Sequence, residues 1–207
     1  MQNSTDALQA WSDNWLLKLN VTKCKVLSVG REPDESHVYS ICANKNNKQL
    51  VRGTSITDLG VILDKKLTSS EHIQSKIHKA YSMIGVLKRN FKYISVSGYV
   101  MLYKCMVRSH LDYCSSVWAP FKKGDIDDLE KVQKRATRII PGLRNKTYED
   151  RLRICDLPTL KYRRLREDMI ETYKIITGKY DKVAAPQFLL GDGIACTRGN
   201  DLRIKTS

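Results

Sequence analysis

The chain has 207 residues, 42% of them hydrophobic, which is enough to bury a sizeable core as one domain or two small ones. It contains no apolar run of about 18 residues and no basic-then-apolar leader, so neither a transmembrane helix nor a secretory signal is expected. These features predict an intracellular protein, nuclear or cytoplasmic, without a membrane partner. The six scattered cysteines predict reduced thiols, because a chain of this size and apolarity needs no disulfides.

The charge of the chain predicts a polyanionic partner, nucleic acid above all. The net charge is +14. Most of the surplus lies in residues 131–166, which contain 12 Lys or Arg and three acidic residues. The alternative is an ordinary solvated surface, since long basic side chains cover helix faces without binding anything. The imbalance of sign favours a binding surface.

The first third of the chain predicts one helix and a small β layer. Apolar residues recur at helical spacing over residues 6–15, which predicts a short amphipathic helix. Residues 25–29 predict a strand, with residues 39–42 as its candidate partner. The polar residues 44–49 predict a turn, and residues 56–63 predict one or two further strands.

Beyond residue 67 the hydrophobic period changes to 3.6, and five helices are predicted. The first begins with a capping box from Thr68 to Glu71. Its packing stripe comprises Ile73, Ile77, Ala80, Ile84 and Leu87. The second helix follows Ser97 and continues toward Trp118, where Pro120 and Gly124 stop it.

The third helix starts at Asp125 as its N-cap and ends before Pro141. Thr147 and Thr159 open the fourth and fifth helices. The predicted stripe of the fifth comprises Tyr162, Leu165, Met169, Tyr173 and Ile176. The fold class is therefore α+β, a short helix and a small antiparallel β layer followed by a mainly helical bundle, with residues 181–207 as a loose tail.

Three stretches resemble the reverse transcriptases of non-LTR retrotransposons, over roughly residues 6–180. Residues 16–26, LLKLNVTKCKV, are similar to the fourth palm motif of that family. Residues 58–64, DLGVILD, resemble the primer-grip hairpin that leads into the thumb. Residues 108–120, RSHLDYCSSVWAP, with LEKVQKRATR after them at 129–138, closely resemble the thumb of jockey-like and CR1-like elements.

The resemblance implies a palm remnant at residues 1–67 and a thumb-like helical domain at residues 68–180, which hold an RNA template and a DNA primer. The family's Mg²⁺-binding aspartates lie upstream of these motifs, and no Tyr/Phe-x-Asp-Asp occurs in the chain. Two-metal phosphoryl transfer needs those carboxylates. We therefore expect a fragment without catalysis or a cofactor of its own, with Mg²⁺ only in a full-length enzyme and the missing N-terminal part of the polymerase as a further partner.

The resemblance also suggests site residues. Lys23 matches a candidate proton donor to pyrophosphate, although a solvent-exposed lysine at a strand entry is the favoured explanation. Asp58, Leu59 and Gly60 would lie in the primer grip, where glycine lets the backbone approach a phosphate, unless Gly60 is an ordinary hairpin glycine. A basic set is predicted to line the nucleic-acid channel: Lys131, Lys134, Arg135, Arg138, Arg144 and Lys146.

Other constellations favour packing over chemistry. Cys105, His110 and Cys114 carry zinc-ligating atoms, but they lie in one predicted helix without a fourth ligand, so no metal site is expected. Tyr113 and Trp118 are expected in the core rather than stacked on bases. The alternatives to a polymerase fragment are a non-catalytic nucleic-acid-binding module and a relic without selected function, whose mark would be marginal folding.

Overall fold

The computed structural model describes residues 2–30, 36–43, 46–181, 183, 185, 186 and 188. The chain divides into two compact units, residues 1–78 and 79–207. The predicted α+β class is confirmed, because helices predominate and the strands of the described residues form three two-stranded sheets. The tail predicted for residues 181–207 lies almost entirely outside the described residues.

The described residues of the first unit form one helix, six short strands and the start of a second helix: α1 (Gln2–Asn14), β1 (Lys25–Val26), β2 (Ser40–Ala43), β3 (Asn46–Gln49), β4 (Val51–Arg52), β5 (Ser55–Asp58), β6 (Val61–Asp64) and α2 (Ser70–Asn90). Helix α1 begins four residues earlier than predicted. Its Gln2 amide bonds both backbone polar atoms of Ser40, at 3.0 and 3.2 Å, which ties α1 to β2.

Strand pairing in this unit differs from the prediction. β2 pairs antiparallel with β3 and β5 antiparallel with β6, whereas β1 pairs in parallel with β4. The proposed partnership of residues 25–29 with residues 39–42 is therefore wrong, and most of the turn predicted at residues 44–49 is strand β3. Two residues separate β2 from β3, so this local pairing closes a very short loop at low entropic cost.

The turn between β5 and β6 consists of Leu59 and Gly60, both with positive φ, at 44° and 83°. Two-residue hairpin turns need this left-handed backbone to match the strand twist. The Lys76 ammonium donates to the Gly60 carbonyl at 3.0 Å. Beyond the turn, the Ile62 amide donates to Nδ1 of the fully buried His72 at 3.0 Å, and burial lowers the pKa of His72 to about 4.

Helix α2 begins at Ser70, two residues after Thr68, so the predicted start at the Thr68 capping box is wrong. The Asp64 carboxylate accepts from the backbone amides of Lys66, Thr68 and Ser69 and from the Thr68 hydroxyl, at 2.9 to 3.1 Å. Partial burial alone would raise the pKa of Asp64, but these bonds outweigh it and the pKa is lowered. The Asp64 carboxylate thus fixes the loop that leads from β6 into α2.

The predicted stripe of α2 is confirmed. Its five members are at most 5% exposed: Ile73, Ile77, Ala80, Ile84 and Leu87. Each large member stabilises the fold by about 1.5–3 kcal/mol relative to exposure. Outside the stripe, Lys79 and Lys88 are exposed, while Lys76 is partly buried.

The second unit contains the end of α2 and a series of helices: α3 (Val96–Leu102), a π-helical turn (Tyr103–Arg108), α4 (Ser109–Asp112), α5 (Ser115–Trp118), α6 (Lys123–Ile139), α7 (Tyr148–Cys155) and α8 (Leu160–Ile176). The helix predicted from Ser97 toward Trp118 is confirmed as a continuous helical run from Val96 to Asp112, but it is interrupted at Cys114, where φ is 53°, before α5. The break is stabilised from within the core, because Trp118 is 1% exposed and its Nε1 donates to the Tyr113 carbonyl at 2.7 Å.

Local signals located the later helices. Thr147 and Thr159 cap α7 and α8 as predicted, accepting from the amides of Asp150 and Tyr162. Helix α6 starts at Lys123, two residues before the predicted N-cap Asp125, which lies in its first turn. Gly124 therefore lies inside a helix rather than ending one.

The predicted packing stripe of α8 is largely exposed, which corrects that prediction. Tyr162, Leu165, Met169 and Tyr173 are 58–66% exposed. Polar contacts set the rotation of the helix instead: Arg163 pairs with Asp112 at 2.9 Å, and Glu167 accepts from Ser115 at 2.7 Å. These bonds lie on the side of α8 that packs against α5, so the aromatic stripe faces away.

Candidate nucleic-acid interface

Helix α6 separates an apolar face from a basic one. Leu129, Val132 and Ala136 are fully buried, while the cations on the opposite face are exposed: Lys131, Lys134, Arg135 and Arg138. This is the 3.6-residue period of an amphipathic helix. Burial of one face therefore fixes where the cations of the other face lie.

A buried polar network fixes α6 further. Gln133 is fully buried, and its amide accepts from the Tyr103 hydroxyl at 2.7 Å and donates to the Tyr148 oxygen at 3.1 Å. The Tyr148 hydroxyl in turn donates to the Glu130 carboxylate. Burial, together with this bond to Glu130, raises the pKa of Tyr148, so the phenol stays a donor.

Six cations from four segments line one groove of about 740 Å³, called here the basic groove. Ile139 also lines it, and the cations are Lys88 of α2, Lys134, Arg135 and Arg138 of α6, Arg144 of the connection to α7, and Arg151 of α7. The connection turns at Gly142, where φ is 79°, and is anchored by Leu143, 6% exposed. No carboxylate belongs to the described residues that line the groove.

Aromatic rings orient three of these cations. The Lys134 ammonium lies 5.3 Å from the Tyr148 ring centroid, and the Arg151 guanidinium lies 5.7 Å from the same ring. The Arg135 guanidinium lies 5.2 Å from the ring of Tyr81 on α2. Cation–π contacts at this range contribute about 0.5–1 kcal/mol when exposed, enough to bias rotamers without neutralising the charge.

A concave surface with cations and no carboxylate concentrates positive potential, which attracts polyanions. On nucleic acid, each neutralised phosphate releases condensed counterions, so affinity falls steeply as salt rises. The groove therefore has the charge and the concave shape of a candidate phosphate-binding surface.

Comparison with known proteins gives distant matches to transposon polymerases. The chain is 25% identical over 145 residues to the RNA-directed DNA polymerase from mobile element jockey of Drosophila melanogaster, and 27% identical over 147 residues to its Drosophila funebris counterpart. Each match covers 69% of this chain but 15% of the polymerase. The chain thus corresponds to a small part of those relatives.

A third match is an uncharacterized protein of Caenorhabditis elegans, 27% identical over 135 residues, covering 64% of this chain and 68% of that protein. No family model and no solved structure matches the chain. These matches support a distant relationship to retrotransposon reverse transcriptases. Among the described residues no helix is long and apolar enough to cross a membrane.

The structure brings together four of the six cations predicted for the channel: Lys134, Arg135, Arg138 and Arg144. Lys131 is outside the lining and pairs with Asp128 at 2.7 Å. Lys146 is also outside, although its carbonyl accepts from Arg151. Lys88 and Arg151 were missed; both belong to basic stretches of the sequence, but only the packing of α2 and α7 beside α6 reveals that they share a groove.

The other predicted site residues lie in the first unit. Asp58, Leu59 and Gly60 form the exposed end of the β5–β6 hairpin, and Leu59 is 85% exposed. Lys23 is exposed in the turn before β1, where its amide donates to the Asn20 carbonyl at 3.0 Å. Their roles in a primer grip or in proton donation remain predictions.

The cysteines and aromatics follow the packing predictions only in part. In the described part of the chain, no three His, Cys, Asp or Glu side chains are placed to hold a metal. Cys105 is exposed, which contradicts its expected core position. Trp118 is in the core as expected, but Tyr113, next to the interruption of the helix at Cys114, is 49% exposed.

Proposed function

We propose that this chain is the template- and primer-binding part of an RNA-directed DNA polymerase of a non-LTR retrotransposon, and that it binds nucleic acid without polymerising it. The observation that carries the proposal is the basic groove, where six cations converge without a carboxylate among the described lining residues. The distant similarity to jockey polymerases supports the same assignment. The ligand is an RNA–DNA hybrid, whose phosphates supply the negative charge.

The arrangement of the groove favours an extended polyanion over a small anionic metabolite. Its cations come from four segments, α2, α6, α7 and the connection between α6 and α7, so they are spread around the groove rather than gathered on one turn of a helix. On α6 alone, Lys134 and Arg138 are separated by one turn, about 6 Å along the axis. A ligand with repeated charges can contact several of these groups at once.

The absence of a Tyr/Phe-x-Asp-Asp sequence supports the non-catalytic part of the proposal. Catalysis would require the metal-binding carboxylates, and Mg²⁺ with them, from the remainder of a longer polymerase. In such an enzyme the hairpin end at Asp58–Gly60 would contact the primer, and Lys23 would serve as proton donor. Both roles would depend on the palm segment that carries those carboxylates.

The test is binding to a fluorescent RNA–DNA hybrid at several salt concentrations. Arg138→Ala/Arg144→Ala removes two groove cations, and Lys161→Ala/Arg166→Ala removes two exposed cations of α8 outside the groove lining. Because net charge changes equally, only position differs. The groove variant should lower the salt slope by about 2, whereas the α8 variant should leave it nearly unchanged.

An equal loss of hybrid affinity in the two variants would show that hybrid binds diffusely to the basic surface and that the groove is not the site. Primer extension with Mg²⁺ tests catalysis separately, and DNA synthesis by this chain would overturn the non-catalytic assignment. A circular dichroism melt provides the folding control for each variant. A chain that neither melts cooperatively nor binds hybrid would be a relic.

The same groove supports a second candidate, a non-catalytic nucleic-acid-binding module that acts without any polymerase. The C. elegans match supports this candidate, because it covers 68% of a protein that is similar in length to this chain and much shorter than the jockey polymerases. A module should bind hybrid and duplex DNA with similar affinity. A polymerase part should prefer the hybrid.

A further inference from the structure

The chain between the last turn of α2 and the start of α3 presents aromatic rings and cations together. Six consecutive side chains, at residues 88–93, are exposed. Their sequence is KRNFKY, which contains three cations, two aromatic rings and no acidic residue. Among the described residues, no carboxylate forms an ion pair with Lys88, Arg89 or Lys92. This stretch, called here the 88–93 segment, therefore offers both positive charge and ring surface to the solvent.

Helix chemistry explains only part of the 88–93 segment. Cations in the last turn of a helix interact favourably with its dipole, which accounts for Lys88 and Arg89. Lys92 lies beyond the helix, so the dipole does not account for it. Single exposed apolar residues are ordinary on protein surfaces. Here two rings lie within three residues, and Tyr93 is fully exposed while Phe91 is 42% exposed.

The helices on both sides hold the 88–93 segment in place. At the end of α2, the Asn90 side-chain amide donates to the Val86 carbonyl at 3.0 Å. Ser95 caps the start of α3. α3 is held to α6 in turn, because the hydroxyl of the buried Tyr99 donates to the Ala136 carbonyl at 3.0 Å. The rings thus lie on a short connection between two packed helices, which lowers the entropic cost of presenting them to a ligand.

The 88–93 segment begins at the edge of the basic groove. Lys88 is its first residue and also lines the groove. The Cα atoms of Lys88 and Tyr93 are at most about 14 Å apart, at about 1.5 Å per residue within α2 and about 3.6 Å per residue beyond it. About four nucleotides of a strand span this distance, at about 3.4 Å between successive phosphates. A strand that leaves the groove at Lys88 can therefore reach both rings.

Ring surface combined with positive charge is the chemistry that binds unpaired nucleotides. Cations neutralise the phosphates, and exposed aromatic rings stack on the bases. In a hybrid each base is already stacked between its neighbours, so an unpaired base is the one that can stack on a protein ring. The ligand that suits the 88–93 segment is therefore a single strand rather than the hybrid itself.

We infer that the 88–93 segment is a stacking platform for the unpaired strand that extends from a hybrid bound in the basic groove. Phe91 and Tyr93 each stack on a base, and the neighbouring cations contact the phosphates: Lys88, Arg89 and Lys92. The inference rests on the proposed function for the hybrid. The platform itself requires only a single strand, whether RNA or DNA.

Variants that change no charge separate the rings from the cations. Phe91→Leu/Tyr93→Leu removes both ring faces and keeps an apolar side chain at each position. Tyr93→Phe keeps the ring and loses only the hydroxyl. Tyr162→Leu is the matched control, because Tyr162 is 60% exposed, follows a lysine as Tyr93 does, and lies on α8 outside the groove lining.

Fluorescence anisotropy measures affinity for three probes: a blunt RNA–DNA hybrid, the same hybrid with a single-stranded extension, and the extension strand alone. The extension is RNA or DNA and is placed at each end in turn. In the wild type the extension should raise affinity about tenfold or more at its productive end. Phe91→Leu/Tyr93→Leu should bind the extended hybrid about fivefold or more weakly than wild type, and the blunt hybrid within about twofold of it. Tyr93→Phe and Tyr162→Leu should match the wild type.

An extension built from abasic nucleotides tests the role of the bases directly. It keeps every phosphate of the strand but has no base to stack on. The wild type should bind it about fivefold or more weakly than the normal extension. Phe91→Leu/Tyr93→Leu should bind the two extensions within about twofold of each other, because it has already lost the rings. A circular dichroism melt of each variant provides the folding control.

The outcomes separate the platform from the proposed function. Ring-dependent binding of the single strand, together with no binding of the blunt hybrid, would support the platform and refute the proposed function. The platform would be overturned if the gain from the extension were the same in wild type and Phe91→Leu/Tyr93→Leu, or the same for normal and abasic extensions. Ring-dependent binding to phosphatidylserine vesicles without any base dependence would assign the segment to a membrane surface and also overturn the inference.

Discussion

Replacing Gln133 with leucine should remove about 3 kcal/mol from the free energy of unfolding. Gln133 is fully buried on α6, the helix that carries half of the groove cations. Its side chain makes three hydrogen bonds, to the Tyr103 hydroxyl at 2.7 Å, the Tyr148 hydroxyl at 3.1 Å and the Pro158 carbonyl at 2.9 Å. Leucine has a similar volume but makes none of them.

The magnitude follows from what each partner loses. Each bond contributes about 1 kcal/mol net, and an orphaned buried hydroxyl costs about 1–3 kcal/mol. Tyr103 is 1% exposed, so its hydroxyl cannot turn to water, and burial keeps its pKa well above the usual value. Tyr148 keeps its bond to Glu130, and Pro158 is exposed, so these two partners lose less.

The assay is urea unfolding followed by circular dichroism and by tryptophan fluorescence, in a background in which Trp11 and Trp15 are replaced by Phe so that the buried Trp118 is the reporter. The control is Tyr103→Phe combined with Gln133→Leu, because removing both partners leaves no orphaned hydroxyl. The double variant should be more stable than the sum of the single losses predicts, by about 1–2 kcal/mol. The proposed role of this network would be refuted if Gln133→Leu lowered the free energy of unfolding by less than about 1 kcal/mol. It would also be refuted if the losses of the two single variants simply added in the double variant.

Three further results are expected. The pKa of His72 is about 4 in the folded protein and 6.5 in the unfolded chain, so the contribution of neutral His72 to the free energy of unfolding is complete above pH 6.5 and is lost as pH falls to about 4. His72→Asn should therefore reduce the loss of stability over this pH range, by up to about 3 kcal/mol. The same pH profile in wild type and variant would contradict this. Thr159→Ala should destabilise by about 1 kcal/mol, because its hydroxyl caps α8, while Thr159→Asn should not. In single-cysteine variants, a thiol reagent should modify exposed Cys105 rapidly and buried Cys155 only through unfolding, since burial also raises the pKa of Cys155; equal rates would refute this.

Prediction of the candidate site from sequence was partial for a physical reason. Lys134, Arg135 and Arg138 share one face of α6, which the period of a helix makes visible without tertiary information. Arg144 follows closely along the chain. Lys88 and Arg151 join them only through packing between helices distant in sequence, and a charge count cannot show which cations share a cavity.

What the sequence determined by itself was mostly local. The buried stripe of α2 and the caps at Thr147 and Thr159 depend on neighbours within one or two turns, so period and cap chemistry predict them. The net charge and the distant similarity to jockey polymerases also come from sequence alone.

Only the tertiary structure decided the break at Cys114, the exposed stripe of α8 and the burial of Arg151. The indole of Trp118 stabilises the break by binding a carbonyl five residues away, which no helical period encodes. The pairing of Arg163 with Asp112 rotates the aromatic stripe of α8 away from the packed side. At the break and on α8, side-chain hydrogen bonds outside the helical pattern outweigh the local hydrophobic period, because a polar group buried without a partner costs free energy. Arg151 is buried because α7 packs against α3 and α6, which are distant in sequence, and the helical period of α7 does not encode that packing.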